Sequence, residues 1–170
     1  MPRTSIDELP GDARIWIFGT GRSLTDEEER TVLGAVDAFL DRWNAHGEPL
    51  TSAREWLEGR FLVVGVDERT APPSGCSIDA MVGILKELEQ ELGLALTGHG
   101  PVLWRDAAGE VRRTPRDDFA RLADEGEVGP ETPVFDPTLT RLEELRDGGL
   151  EKPAARSWHA RAFGLGEATA

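Results

Sequence analysis

The sequence contains a single cysteine and no tyrosine among its 170 residues. One cysteine excludes a disulfide within the chain and any cysteine-rich zinc or iron–sulfur site. No apolar run has the length of a signal-peptide core or of a membrane-spanning helix. We therefore expect a cytoplasmic protein in reducing surroundings, with no cofactor and no bound metal.

Basic residues are scarce as well. The chain has 19 Lys plus Arg against 32 Asp plus Glu, which gives a formal net charge of −13. Such a charge repels a phosphate backbone and an anionic membrane surface over most directions of approach. Arg112, Arg113 and Arg116 form a local basic cluster, which we interpret as a solvated surface beside a helix start. Neither nucleic acid nor a membrane is expected as a partner.

The first half of the chain alternates between strand and helix patterns. Residues 14–18, "RIWIF", predict a strand that ends at a glycine turn. Thr25 and Glu28 have the spacing of a capping box at a helix start, and apolar residues then recur at helical intervals. We expect this helix to run until Gly47 stops it, which places His46 at its C-terminal end.

A strand pair and a second helix follow. The apolar run 61–66 predicts a central strand, and residues 50–57 predict an edge strand that pairs with it as a hairpin. The second helix has a buried stripe that is expected to consist of Ile78, Met81, Val82, Leu85, Leu88 and Leu92. Residues 102–105 and 110–113 flank a turn and predict another hairpin.

The order βαββα, followed by strands, indicates an α+β fold. We predict a ferredoxin-like split βαβ sandwich, with two main helices on one face of an antiparallel sheet. Residues 1–113 are assigned to this core domain. Residues 114–170 are assigned to a small C-terminal helical extension and tail that pack on the core, so that the chain forms a single structural unit.

Six segments together resemble an uncharacterised family of small bacterial proteins that sometimes carry the label "ABC transporter ATPase". They are "RIWIFGTGRSLTDEE", "WNAHGEPL", "FLVVGVDE", "SGCSIDA", "ETPVFD" and "SWHARAF". The resemblance covers nearly the whole chain and implies no mechanism. Residues 102–136 also resemble the layout of GYF-type modules, which dock proline-rich peptides on aromatic side chains, although the Gly-Tyr-Phe core of those modules is absent here.

The transporter label implies a nucleotide-binding loop, and the sequence excludes one. A Walker A loop has the pattern G-x-x-x-x-G-K-[ST], in which backbone amides hold the phosphates and the lysine neutralises them. Lys86 and Lys152 are the two lysines of the chain, and neither follows a glycine loop. The chain is therefore not a P-loop ATPase.

The stretch "SGCSID" places Cys76 where a loop becomes a helix. We expect Cys76 or Ser77 to cap this helix and Asp79 to lie in its first turn. A helix start favours a thiolate, and the adjacent amides would hold an oxyanion, whereas burial in apolar surroundings would make the thiol an inert spacer.

A catalytic thiol also requires a base. The candidates are His46, His99 and His159, and none of them is adjacent to Cys76 in sequence. The residues expected to bind a ligand around the thiol are Ser74, Gly75, Ser77, Asp79 and Arg60.

Three carboxylates form a second candidate site. Asp67 and Glu68 follow the central strand, and Asp79 lies near the start of the next helix. Three such groups would suit Mg²⁺ and the hydrolysis of a phosphoester. The alternative is that Asp67 and Glu68 solvate a strand end and that Asp79 caps a helix.

Two hypotheses from different classes follow. The first is a cytoplasmic accessory or binding protein that uses the loop 67–79 and the adjoining helix start as its functional surface. The second is a small enzyme, either thiol-dependent with Cys76 as nucleophile or metal-dependent with Asp67, Glu68 and Asp79. The expected partner is an unidentified protein or small molecule, and self-association into a homodimer is a further alternative.

Overall fold

The computed structural model describes residues 3–98 and 100–166. It shows an α+β fold with antiparallel sheets. In chain order the helices and strands are β1 (Arg14–Gly19), α1 (Asp26–Arg42), β2 (Asn44–Ala45), β3 (Glu48–Pro49), β4 (Ser52–Leu57), β5 (Phe61–Val66), α2 (Gly75–Leu92), β6 (Val102–Arg105), β7 (Val111–Thr114), α3 (Arg116–Asp124), β8 (Pro133–Phe135), α4 (Leu142–Arg146), β9 (Glu151–Pro153) and α5 (His159–Phe163). Within the described ranges, no helix has the length and apolar character needed to cross a bilayer.

The chain folds as two compact units. The first comprises Met1–Thr97 and Thr138–Arg146, and the second comprises Gly98–Pro137 and Asp147–Ala170. The sequence predicts a boundary after residue 113. In the structure the β6–β7 hairpin instead belongs with later strands, because β6 pairs with β8 through Trp104 and Val134.

The sheet of the first unit is antiparallel and has the order β1-β5-β4. Trp16 of β1 lies opposite Val64 of β5, and Arg54 of β4 lies opposite the same residue on the other side. The predicted central strand and the predicted β4–β5 hairpin are therefore confirmed. Every residue of β5 is buried, so both faces of this strand need to be covered.

Helices α1 and α2 cover one face of the sheet. Thr25 and Glu28 form the predicted capping box at the start of α1, and Gly93 ends α2 in the left-handed conformation. The apolar stripes of both helices are buried at Val32, Val36, Phe39, Leu40, Met81, Leu85 and Leu88. The expected stripe of α2 is confirmed in part, because Ile78, Val82 and Leu92 are only partly buried.

The N-terminal segment and α4 lie on the other side. Ile6 and Leu9 approach Gly65 closely, and the Arg146 guanidinium of α4 donates hydrogen bonds to the carbonyl oxygens of both, at 3.2 and 2.9 Å. Among the residues that the structure describes, the position beside β1, where a ferredoxin-like sheet has its fourth strand, holds a bridge between Arg14 and Arg141 and no further strand. The β6–β7 hairpin does not join this sheet.

Helix α1 ends earlier than the sequence analysis predicted. It stops at Arg42, and β2 and β3 then form a short hairpin around His46 and Gly47. These two residues have φ angles of 53° and 82°, as a two-residue type I′ turn requires. Placing His46 at a helix end was wrong, because the positive φ of Gly47 serves a hairpin turn here.

The second unit has a four-stranded antiparallel sheet in the order β7-β6-β8-β9. The predicted β6–β7 hairpin is confirmed. The expectation of a helical extension missed β8 and β9, which have three residues each and are too short to show a strand period. The core of this unit contains Val102, Phe119, Val128, Val134, Ala154 and Leu165.

Gly65→Val tests how closely the N-terminal segment covers β5. A Cβ atom at Gly65 would lie 2.9 Å from Cδ1 of Leu9 and 3.4 Å from Cδ1 of Ile6. We expect the larger side chain to lower the free energy of unfolding by about 1–3 kcal/mol, because the segment has to shift. Urea unfolding monitored by circular dichroism gives the value.

Gly83→Ala is the matched control for this variant. Gly83 is exposed inside α2, and nothing lies within 4 Å of an added Cβ atom. The control should raise the free energy of unfolding by about 1 kcal/mol, because alanine favours the helix. If Gly65→Val has the stability of the wild type, then Ile6 and Leu9 do not pack closely on this face of β5.

Candidate functional site

An open cleft of about 560 Å³ lies in the first unit, where the end of α1, the β2–β3 hairpin and the start of α2 meet. We call it the Cys76 cleft. It is lined by Phe39, Arg42, Trp43, Asn44, His46, Ser74, Cys76, Ser77 and Ala80. Four of the residues singled out in the sequence, namely His46, Ser74, Cys76 and Ser77, are therefore brought to one place.

The start of α2 is capped from within its own sequence. The Ser77 amide donates to Ser74 Oγ at 3.1 Å, and the Ser74 amide donates to Ser77 Oγ at 2.7 Å. Ser74 is thus the N-cap, whereas the sequence analysis placed the cap at Cys76 or Ser77. Asp79 is consequently the fifth helical residue, and the first turn contains no acidic side chain. The positive end of the helix dipole is therefore not offset by a first-turn carboxylate.

Cys76 is the second residue of α2, and it is exposed. The interpretation of this cysteine as a buried spacer is wrong, because the buried face of the helix is formed by Ser77, Met81 and Leu85. The thiol is available to reagents and ligands in the cleft.

Trp43 holds the two sides of the cleft together. Its side chain is 2% exposed, and its indole Nε1 donates a hydrogen bond of 2.8 Å to the carbonyl oxygen of Ser77. The Phe39 and Trp16 rings pack on it, with centroids 5.4 and 6.0 Å away. A buried indole needs such an acceptor, so the end of α1 and the start of α2 are fixed relative to each other.

Arg42 and His46 supply the basic groups of the cleft. Arg42 is exposed, and its guanidinium carbon lies 5.9 Å from the centroid of the Phe39 ring. Among the described residues, no carboxylate forms an ion pair with it. The carbonyl oxygen of Arg42 accepts a hydrogen bond of 3.3 Å from the Asn44 side chain. His46 is exposed in the hairpin turn.

This arrangement is chemically suited to an anion. The first amides of a helix have no acceptor within the helix, and Ser74 satisfies only that of Ser77 here. The amides of Gly75 and Cys76 therefore add to the positive end of the dipole, and Arg42 contributes a full charge. The cleft combines the basic side chain of Arg42 with the exposed thiol of Cys76.

His159, the other histidine predicted to be catalytic, belongs to the core of the second unit. It is 1% exposed, its ring stacks on Trp158 with centroids 3.8 Å apart, and its Nδ1 lies 2.7 Å from Ser157 Oγ. Burial lowers the pKa of His159 to about 4. Such a residue packs and does not act on solvent-borne substrate. His99 lies outside the described residues.

Three predicted ligand-binding residues do not line the cleft. Arg60 is 7% exposed and donates a hydrogen bond of 3.1 Å to Ser23 Oγ, so it serves the interior of the unit. Gly75 and Asp79 are exposed on α2, but neither is part of the described lining of the cleft.

Two of the three carboxylates proposed as metal ligands, Asp67 and Glu68, are engaged by arginines. Arg69 binds both oxygens of Asp67, at 3.0 and 2.8 Å, and the side-chain hydrogen bond from Arg69 lowers the pKa of Asp67. Arg141 binds Glu68 at 2.8 Å. Over residues 3–98 and 100–166, no group of three His, Cys, Asp or Glu is placed to hold a metal ion.

No sequence pattern predicted Arg42, Trp43 and Asn44 as parts of the site. One local signal was available, because "NAHGEP" has a glycine at the second position of a two-residue loop and therefore favours a hairpin. A hairpin at this point of the sequence implies that α1 ends just before it, and the residues at that helix end would then have been candidates for the site.

Comparisons with protein-family models, curated proteins and solved structures find no match for this chain. The resemblance to the small bacterial family therefore stays a prediction. The geometry of the Cys76 cleft is what supports a function.

The titration of His159 should appear in the pH dependence of stability. The pKa of His159 lies at about 4 in the folded chain, against an ordinary value of 6.5. Between these values the unfolded chain binds a proton that the folded chain does not. The contribution of His159 is therefore fully present above pH 6.5 and is lost progressively as the pH falls to about 4.

Urea unfolding across that pH range tests this expectation with two variants. His159→Phe should lose stability less steeply than the wild type as the pH falls. His46→Asn is the matched control, because His46 is exposed and asparagine tolerates its left-handed backbone. It should follow the wild-type slope, and a His159→Phe profile parallel to the wild type would refute the assignment.

Proposed function

We propose that this protein is a cytoplasmic accessory or binding protein whose functional surface is the Cys76 cleft, and that the cleft takes a small anionic ligand bearing a carboxylate or a phosphate. One observation carries the proposal: Arg42, His46 and the start of α2 line a single open cleft. The loop 67–79 contributes its last part to this surface, because Ser74, Cys76 and Ser77 belong to the cleft wall.

The charge of the chain supports an anionic ligand. With a net charge of −13, most of the protein surface repels anions. Several other arginines of the first unit are paired with a carboxylate at short range, as Arg22 is with Glu28 and Arg54 with Asp37. Arg42 has no such carboxylate in the described part of the chain, so its charge is available to a ligand in the cleft.

Isothermal titration with inorganic phosphate and with succinate tests the proposal. The protein used is Cys76→Ser, so that the thiol cannot react. We expect saturable binding of at least one anion, and Arg42→Gln in that background should weaken it roughly tenfold, because a charge-assisted hydrogen bond is lost.

Arg30→Gln is the matched control for Arg42→Gln. Arg30 is also exposed on α1, and the change in net charge is the same. The control should bind as tightly as its parent. Absence of binding to both anions, or equal effects of the two arginine changes, would overturn the proposal.

A thiol-dependent enzyme is the second candidate, and a separate observation favours it. Cys76 is exposed, and His46 lines the same cleft. In this role Cys76 acts as the nucleophile, His46 accepts its proton, and the amides at the start of α2 hold the oxyanion. The metal-dependent alternative has no comparable support, since Asp67 and Glu68 are bound by arginines.

The rate of Cys76 alkylation by iodoacetamide as a function of pH tests the second candidate. If His46 assists the thiol, His46→Asn should move the pH profile toward that of the urea-unfolded chain and slow alkylation near neutral pH. His159→Phe serves as the control, because His159 lies in the core of the second unit. A profile that neither variant changes would argue against a catalytic Cys76–His46 pair.

The ferredoxin-like plan is proposed as a variant for the first unit. The order β1-β5-β4, with α1 after β1 and α2 after β5, supports it. Membership in the small bacterial family rests on the sequence resemblance. The family label, a protein partner and a homodimer stay predictions.

A further inference from the structure

We propose that the outer edge of β7 is a docking site for an extended acidic segment of another protein, which pairs with β7 as a further strand of the sheet in the second unit. This surface is separate from the lining of the Cys76 cleft, and the proposal does not depend on the ligand of that cleft. Two observations carry it. The backbone of the edge has unpaired hydrogen-bonding groups, and its side chains are basic in an otherwise acidic chain.

The backbone of β7 can accept another strand on its outer side. β7 is the first strand in the order β7-β6-β8-β9, so β6 pairs with it on one side and no strand of the described residues pairs with it on the other. The Asp106 amide donates a hydrogen bond of 2.9 Å to the Glu110 carbonyl oxygen, which sets the alternation of bonds along the hairpin. Val111 and Arg113 therefore direct their N–H and C=O groups away from β6. Such a row of groups is a template for a further strand.

The opposite edge of the same sheet is less suited to pairing. β9 has three residues and ends in Pro153, which has no N–H to donate. The carboxylate of Glu151 in β9 is already bound by Arg105 at 2.6 Å. β7 has four residues and no proline. A strand added to this sheet is therefore expected at β7.

The side chains at this edge are basic. Arg112 and Arg113 lie in β7, Arg116 follows shortly after the strand, and all three are exposed. Residues 111–116 contain no acidic residue. Asp106 accepts a hydrogen bond of 2.6 Å from Nε of Arg112, whereas in the described part of the chain no carboxylate pairs with Arg113. Because the net charge of the chain is −13, this local positive charge marks the edge for an acidic partner.

The alternation of side chains defines the partner further. Successive residues of a strand point to opposite faces of the sheet, so Arg112 and Arg113 lie on different faces. An incoming strand with two consecutive carboxylates places one of them opposite each arginine, and opposite charges directly across two strands stabilise the pairing. Acidic residues begin again with Asp117 and Asp118 in α3, so the partner's carboxylates belong opposite β7 and not beyond its end.

A second copy of this chain is a poorer occupant of the edge. Pairing of β7 with β7 of another copy would bring the arginines of the two strands together, and like charges across two strands are destabilising. Basic side chains on an edge strand are also a common protection against such self-association. The charge of the edge therefore favours a different, acidic chain.

The edge is held in shape before a partner arrives. The Trp104 indole donates a hydrogen bond of 2.8 Å to Oγ1 of Thr114, which fixes the end of β7. Oδ1 of Asp106 accepts hydrogen bonds from the amides of Ala108 and Glu110, at 2.9 and 3.0 Å, which fixes the turn. The loss of conformational entropy on docking would therefore fall mainly on the partner segment.

The test titrates the full native chain with three acetylated and amidated peptides, followed by NMR. The acidic probe is Thr-Val-Glu-Glu-Val-Thr, and the basic probe has Lys-Lys in place of Glu-Glu. The third probe is the acidic peptide with methylated backbone nitrogens, which cannot donate to a strand edge. We expect saturable binding of the acidic probe and binding of the basic probe about tenfold weaker or less, because like charges replace opposite charges at two cross-strand positions. The methylated probe should not bind.

Amide hydrogen exchange locates the bound peptide. The amides of Val111 and Arg113 face away from β6, so they should exchange rapidly in the free chain and become protected at saturating acidic probe. The amide of Arg112 faces β6 and serves as the internal reference. Protection of the free chain at these two amides that increases with protein concentration would show that a second copy covers the edge, and it would overturn the proposal.

Two pairs of variants separate the backbone contribution from the charge. Val111→Pro removes one outward N–H without changing the charge, at an edge position that tolerates proline, and it should abolish binding. Val111→Thr keeps the N–H and should bind as the wild type does. Arg113→Gln should weaken binding about threefold through the loss of one cross-strand charge pair. Arg161→Gln, at an exposed position of α5, is its matched control and should have no effect.

Circular dichroism checks that the variants are folded. If Val111→Pro does not fold, the methylated peptide makes the same test on the wild-type chain. Absence of saturable binding of the acidic probe, equal binding of the acidic and basic probes, binding of the methylated probe, or equal effects of Arg113→Gln and Arg161→Gln would each overturn the proposal.

Discussion

Strand β5 is hydrogen-bonded on both edges and buried on both faces, and the first unit is arranged to cover it. Helices α1 and α2 lie on one face, while Ile6 and Leu9 approach Gly65 on the other. Arg146 then ties α4 to that N-terminal segment. A sandwich with helices on a single face would leave half of this apolar strand in water, at a cost that scales with the exposed area. Covering the second face therefore accounts for the return of residues 138–146 to the first unit.

The cleft depends on the same arrangement. Because α1 and α2 pack side by side on the sheet, the end of α1 lies next to the start of α2. The hydrogen bond from the Trp43 indole to the Ser77 carbonyl oxygen fixes the end of α1 against the start of α2. The hairpin around His46 follows α1 directly in the chain. The capping box of Ser74 and Ser77 leaves the first amides of α2 available. A packing requirement has thus produced a basic cleft around an exposed thiol.

The proposed anion binding and the proposed thiol chemistry would use the same groups in this cleft. Arg42 and the helix dipole would hold a carboxylate in either case, and the thiol of Cys76 decides whether a covalent bond follows. The chain is otherwise acidic, so this local charge distinguishes the cleft from the surrounding surface. The second unit has its own aromatic core around Phe119 and His159, and the buried histidine there stabilises packing.

Local sequence was sufficient for the elements whose signals lie within a few residues. The capping box of Thr25 and Glu28, the strand β5 and the β6–β7 hairpin were all predictable, because caps, apolar runs and turns are local. The sequence also showed that Cys76 lies at a helix start and that no Walker loop exists.

Tertiary structure decided the rest. Two candidate histidines look alike in sequence, yet His46 lies in a hairpin turn at the cleft and His159 is buried in another unit. Arg42 became part of the site only because α1 ends beside α2, and β8 and β9 exist only because Val134 has partners in Trp104 and Lys152. Such features depend on contacts between residues far apart in the chain, and no local pattern of side chains encodes them.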